Sequence, residues 1–286
     1  MKYVIPTSQA EHCVENLIGR EGIEVIFPDK NNEKSRYFPD GEVYTRISRI
    51  DELKGNEVTL VHSGMPKDGF IELFNYLNIL KRPRVKSLDV FFTYFGYGGQ
   101  DREFKTGETN TVKNILSLLA ARPYNAFIYT IDAHFAKRNW LHNFPFRNFS
   151  AFEVLMEEVK KDYPNIEPIA PDAGSSRRTG LEGLIKKRID SNTVEFLEMP
   201  PKIKKRITGK DIAIVDDMIR TGTTMRDAFD ICKEIGKDVV AVSTHGVIPS
   251  GVKKIENKFD KLYLGNTIDG VGANVDVVTP LISKIL

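Results

Sequence analysis

Residues 212–224 read IAIVDDMIRTGTT, and the fold is decided by how this stretch is read. Ile212, Ala213, Ile214 and Val215 form a run apolar enough for a central strand. Asp216 and Asp217 follow at its C-terminal end. Arg220, Thr221, Gly222, Thr223 and Thr224 then precede a helical pattern over Thr224–Ile235, where Met225, Ala228, Phe229, Cys232 and Ile235 keep helical spacing. Glycine lets backbone N–H groups approach an anion closely. Successive N–H groups and a helix N-terminus favour a phosphate, and threonine hydroxyls add donors. Two adjacent carboxylates do not suit the phosphate itself. They suit ribose hydroxyls or Mg²⁺, which prefers oxygen ligands. The plainer alternative is a turn with an aspartate cap.

Outward from this segment, short β-rich runs alternate with helical patterns. Strands are expected at Tyr3–Pro6, Glu24–Phe27, Val58–His62, Leu88–Thr93, Ala126–Ile131, Ile166–Ala170, Ile212–Val215, Val239–Ser243 and Lys261–Leu264. Helices are expected at Gly69–Leu80, Thr109–Ala121, Phe152–Lys161 and Thr224–Ile235. Such alternation predicts α/β architecture, a mainly parallel sheet with helices on both faces and ligands at the strands' carboxyl ends. The pattern occurs twice, so two domains are expected, 1–148 and 149–286, with the last helix packing back on the first. The basic run KIKKRITGK, 202–210, reads as a solvated loop before a strand.

The 286 residues suit two domains of about 140 each. At 41% hydrophobic and 28% charged, the composition is that of a soluble globular protein. A net charge of +2 does not suggest nucleic-acid binding but leaves room for local phosphate-binding clusters. Cys13 and Cys232 form neither a metal motif nor a disulfide framework. MKYVIPTSQAEH lacks a signal-peptide core, and no apolar run approaches the roughly 18 residues needed to span a bilayer. A cytoplasmic protein without membrane partners is expected.

The segment 212–224 resembles the ribose-5-phosphate loop shared by type I phosphoribosyltransferases and phosphoribosyl-pyrophosphate (PRPP) synthetases. Four other segments favour the synthetases. Phe38-Pro39-Asp40-Gly41-Glu42 looks like their segment near the ATP base. Tyr97–Glu108, YGGQDREFKTGE, resembles their ATP loop. Asp132-Ala133-His134 resembles their Asp-x-His element, and Pro171-Asp172-Ala173-Gly174 their Pro-Asp-x-Gly element. Order and approximate spacing match nearly the whole chain, closest in length to short archaeal-type enzymes.

The resemblance implies two tandem type I phosphoribosyltransferase-like domains and transfer of the β,γ-diphosphate of ATP to the C1 hydroxyl of ribose 5-phosphate, with Mg²⁺, giving PRPP and AMP for nucleotide biosynthesis. It implies ATP contacts at Phe38, Asp40, Glu42, Gln100, Asp101, Arg102 and His134. Mg²⁺–ATP would be held or oriented by His134 and Asp172. Asp216 and Asp217 would take ribose and metal, and Thr221, Gly222, Thr223 and Thr224 the phosphate, with Arg220 a further candidate from its place inside the loop. Lys186 and Arg188 match a catalytic lysine–arginine pattern, with Lys202, Lys204, Lys205 and Arg206 as alternative cations. His134 also suits a capping or buried role, and Phe38 simple packing. A homo-oligomer, dimer or hexamer, is expected.

Three departures bear on the substrate. Gly99 stands where the ATP loop usually has an arginine, for which Arg102 is a candidate substitute. The interval from Asp172 to Lys186 is short enough to hold at most one short helix. Arg220 lies where a small or acidic residue is usual. These point to an alternative acceptor, ADP-ribose in an NAD-synthesis route, and further to a non-catalytic regulatory subunit.

Overall fold

The structure, a computed structural model, describes residues 1–65, 69–121, 124–188 and 195–286, with backbone alone at 186–188 and 195–196. Two compact units result. The first holds Met1–Ser150, Thr267–Asp269 and Val278–Leu286, and the second holds Ala151–Asn266 and Gly270–Val277.

In the first unit, β1 (Lys2–Pro6), β2 (Ile23–Val25), β3 (Glu57–Ser63), β4 (Ser87–Tyr94), β5 (Phe127–Ile131) and β6 (Phe146–Phe149) form one sheet, in the order β2-β1-β3-β4-β5-β6. Every pairing in it is parallel. Helix α1 (Gly69–Leu80) buries Leu73, Tyr76, Leu77 and Leu80, and α2 (Thr111–Ala120) buries Val112, Ile115, Leu116 and Leu119. Full burial of each such side chain is worth about 2 kcal/mol. α2 starts two residues later than expected because Asn110 caps it, accepting from Lys113 N.

The second unit starts with α3 (Phe152–Asp162), β7 (Glu167–Ile169) and α4 (Ala173–Thr179). An antiparallel ribbon, β8 (Ile185–Arg188) and β9 (Glu195–Glu198), follows, then α5 (Pro201–Ile207) and β10 (Ile212–Ile219). The rest is α6 (Thr223–Lys233), β11 (Val239–Gly246), α7 (Pro249–Glu256) and β12 (Lys261–Leu264), whereas α8 (Val278–Ile282) belongs to the first unit. The sheet order β12-β11-β10-β7 is again parallel. β10 runs past the expected Val215, because Asp216, Met218 and Ile219 keep pairing with Ser243, His245 and Gly246 of β11. The run expected to be a loop at 202–210 is instead largely α5: Pro201 opens it, and Ile203 and Ile207 are buried one turn apart. Among the described residues, no helix is long and apolar enough to cross a membrane.

His62, near the end of β3, is fully buried. Its Nδ1 lies 3.1 Å from Thr7 Oγ1, and its ring packs edge-on against Phe92 at 5.3 Å. Burial pushes its pKa down from 6.5 to about 3. The folded state therefore rejects a proton that the unfolded chain accepts. His62 supports stability fully above pH 6.5, and that support drains as pH falls toward 3. Between pH 6.5 and about 5, unfolding free energy from urea titrations should fall more steeply in the wild type than in His62→Gln, by up to about 1.4 kcal/mol per pH unit. Equal slopes would show that another group titrates.

Candidate active site

The acidic pair of β10 is bridged by the Arg178 guanidinium. Arg178, on α4, donates from Nε to Asp217 Oδ1 at 2.9 Å and from Nη2 to Asp216 Oδ1 at 3.0 Å. Nη2 also reaches Ser175 Oγ at 3.0 Å, and that hydroxyl donates to Asp216 Oδ1 at 2.5 Å. Asp172 caps the same helix, its Oδ1 accepting from Ser175 N at 2.9 Å. Asp172, Ser175 and Arg178 are spaced three apart, so the first two turns of α4 present cap, hydroxyl and cation on one side.

Charge is concentrated here away from water. Burial and the neighbouring Asp217 charge push Asp216 up to about 7, against the pull of Ser175 and Arg178. Burial opposes the Arg178 charge, but the Asp217 and Asp216 carboxylates outweigh it and hold its pKa above the ordinary arginine value.

The loop after β10 turns at Gly222, which is buried and takes φ 76° as the N-cap of α6. A side chain there would be strained, and its Cβ would also approach Gly251 O to 3.1 Å. Gly251 on α7 is the tighter point. A Cβ there would lie 1.8 Å from Arg220 O, so the loop's shape depends on a second glycine outside the motif. Thr221 and Thr223 are exposed with hydroxyls 3.2 Å apart, at the start of an 11-residue helix. Arg220 is exposed, and no ion pair involves it among the described residues. Two hydroxyls thus stand at the amino end of α6, an end that favours anions, with a cation just before them in the chain.

In the first unit, residues 37–43 form a tight hairpin. Phe38 N donates to Glu42 O at 2.8 Å, Glu42 N donates to Asp40 Oδ1 at 3.1 Å, and Tyr37 bridges to Val43. Phe38 is 42% exposed and touches Tyr44 edge-on, so its ring is displayed rather than packed into the core. Asp40 and Glu42 are exposed at the same tip. Tyr97 opens the Tyr97–Glu108 loop in the left-handed region, φ 60°, and Asp132 takes φ 37° just ahead of His134. Such backbones cost about 1–3 kcal/mol each and concentrate at functional sites. The two loops meet: a Cβ on Gly98 would lie 3.2 Å from His134 Cβ. Gln100 accepts from Thr111 Oγ1 at 2.5 Å, and the Arg102 guanidinium sits 4.4 Å from the Phe104 ring centroid. Asp101 is turned inward, its carboxylate taken by Arg138 from Nε at 2.5 Å and Nη2 at 3.1 Å. In this arrangement Asp101 braces the loop.

The backbone of Lys186 and Arg188 lies in β8, while their side chains, and Asp190 after them, lie outside the described residues. Two of the alternative cations are engaged: Lys202 pairs with Glu182 at 2.6 Å, and Arg206 with Glu167 at 2.9 Å. Lys204 and Lys205 are exposed on α5. One short helix, α4, does fill the interval after Asp172. Arg178, Ser175, Arg138 and Gly251 escaped the reading of the sequence. The three-residue spacing from Asp172 is a signal that could have found the first two.

The chain resembles known proteins along nearly its whole length. Residues 24–122 match the family model described as the N-terminal domain of ribose phosphate pyrophosphokinase. The chain is 31% identical to the ribose-phosphate pyrophosphokinase of Pyrococcus abyssi, over 95% of this chain and 94% of that protein. It is also 31% identical to that of Wolinella succinogenes, over 87% and 84%. Among solved structures, phosphoribosylpyrophosphate synthetase from Mycobacterium smegmatis superposes with a TM-score of 0.75 at 19% identity, covering 99% of this chain and 97% of that one, which bears on fold.

Proposed function

The chain belongs to the ribose-phosphate pyrophosphokinase family and is a diphosphotransferase of that type, and on that premise we propose that it moves the β,γ-diphosphate of ATP, with Mg²⁺, onto the C1 hydroxyl of ribose 5-phosphate. One observation carries the reading: a carboxylate pair held by Arg178 stands directly before the Gly222–Thr223 cradle. That order matches an acceptor with hydroxyls beside a terminal phosphate. Asp216 and Asp217 accept the ribose hydroxyls, while the loop and Thr221 to Thr224 hold the 5-phosphate. Phe38 covers the base of ATP. Lys186 and Arg188 steady the charge that develops on the transferred oxygens, where preorganised cations do most of the catalysis.

Asp172 and His134 are the chain's candidates for Mg²⁺. Among the described residues no three His, Cys, Asp or Glu side chains gather as a dedicated cage. One or two carboxylates plus substrate phosphates is the usual way to hold this ion. When bound, it neutralises charge on the diphosphate.

The test is AMP formation from ATP and Mg²⁺ with ribose 5-phosphate or ADP-ribose as acceptor. If neither supports it, the catalytic assignment fails. ADP-ribose remains a specific second reading because Arg220, beside the cradle, is an exposed cation with no ion pair among the described residues. Under it, Arg220→Ala raises the Michaelis constant for ADP-ribose and leaves that for ribose 5-phosphate alone. Gly99 has open space around its Cα, with nothing within 4 Å of a built Cβ. Gly99→Arg should therefore fold normally and lower the Michaelis constant for ATP about threefold to tenfold, through a charge-assisted phosphate contact. An unchanged constant would show that another cation already fills that role.

A further inference from the structure

In the first unit, β1 leads out to β2 on one side while β3 lies on its other side, so the chain reverses direction between β1 and β3. In open parallel sheets, ligands bind beyond the carboxyl ends of the strands at such a point. A cleft of about 660 Å³ lies there, between Ser8 and Gln9 after β1 and Ser63 and Met65 at the end of β3. Of its lining residues Tyr37 alone adjoins a site described above, the hairpin that displays Phe38.

Its wall is built and basic. Lys30, Lys34, Arg36 and Tyr37 line it from one segment. Asn31 ties that segment into a turn. Its Oδ1 accepts from Ser35 N at 2.9 Å, and its Nδ2 donates to Tyr37 O at 3.1 Å. Lys34 is held in the left-handed region at φ 58°, a cost of order 1 kcal/mol that the turn sustains. Arg36 is only 7% exposed. Its Nη1 donates to Asp29 O at 3.1 Å, and its Nη2 lies 3.2 Å from Glu11 and 3.6 Å from Glu72. Arg36 Nε and Nη2 and Gln9 Oε1 are buried without a hydrogen bond among the described residues, Nη2 being held by the two carboxylates as an ion pair. Glu11 and Asp269 on the rim can accept hydroxyls.

We propose that this cleft is a second ligand site, for a hydroxyl-bearing phosphate ester of the nucleotide or sugar-phosphate class. Lys30, Lys34 and Arg36 supply its anion wall, and Ser8, Gln9, Tyr37 and the two carboxylates meet the hydroxyls. The volume falls in the usual range for small-molecule sites.

The test maps lysine reactivity on the full chain. Pyridoxal 5′-phosphate condenses with a lysine amine, releasing water, and borohydride reduces the new C=N bond, so peptide masses locate the label. Lys30 or Lys34 should label about tenfold faster than the exposed Lys113 and Lys205, because the basic cleft concentrates the anion. ADP should suppress that labelling more than inorganic phosphate at equal concentration. Lys34→Gly keeps the left-handed backbone, and its double variant with Lys30→Ala should abolish the ADP-protected label while AMP formation is retained. Labelling at the rate of Lys113, or without protection by ADP, overturns the proposal. Protection by inorganic phosphate equal to that by ADP overturns the ester class.

Discussion

Replacing Arg178 by methionine should lower the rate of AMP formation by about a hundredfold or more and destabilise the second unit by about 3 kcal/mol. Methionine preserves much of the side-chain length but removes the guanidinium that bridges two adjacent carboxylates. Breaking a buried pair from one side is costly because the partner charge stays behind. Here two partners stay behind, and Asp216 is already pushed upward by burial and by Asp217. Loss of the guanidinium raises it further, so at neutral pH the pair carries less charge to offer a ribose hydroxyl. The alkaline shift should be visible as an activity profile whose rising limb moves to higher pH. Arg178→Lys should recover only part of the loss, since a single ammonium cannot bridge two carboxylates as the planar fork does. Wild-type activity in Arg178→Met, with an unshifted profile, would remove Arg178 from the site.

Gly251→Ala should raise the acceptor's Michaelis constant at least about tenfold and cut kcat/KM about a hundredfold, with the constant for ATP nearly unchanged. The added carbon would lie 1.8 Å from Arg220 O and 2.8 Å from Arg220 C. Backbone atoms cannot rotate aside like a side-chain tip, so the loop must move by about an ångström, enough to lose this much rate. The overpacking itself costs roughly 1–3 kcal/mol, read as a lower thermal midpoint. Gly99→Ala, with nothing nearby, serves as the control. If both alanine variants bind the acceptor equally well, the cradle does not depend on Gly251.

The alternation of strand and helix was legible because its strands are continuous apolar runs such as Val58–His62 and Val239–Ser243. What escaped has physical causes. Lys202, Lys204, Lys205 and Arg206 masked the Ile203–Ile207 stripe, so α5 read as a loop. The ribbon β8–β9 mixes Lys, Arg and Glu with apolar residues and lacks a clear period. Phe146–Phe149, with polar Arg147 and Asn148 at its centre, is too short to announce β6. In the site, the acidic pair and the glycine cradle are local and could be read in order. Arg178 meets Asp217 from 39 positions away, and Arg138 meets Asp101 from 37. Such pairings exist only after the chain has folded.

The chain's return to its first unit also sets an order of events during synthesis. Lys2 Nζ donates to Ile285 O at 2.6 Å, and Val278, Leu281 and Ile282 of α8 are buried. The amino-terminal unit therefore waits, incomplete, until all of Ala151–Asn266 has left the ribosome, whereas the later unit needs nothing beyond Val277. Nascent chains usually fold from the amino end onward. Here the unit made second is the first able to finish, and a nascent chain paused before Val278 should show its first unit sensitive to protease and its second unit protected.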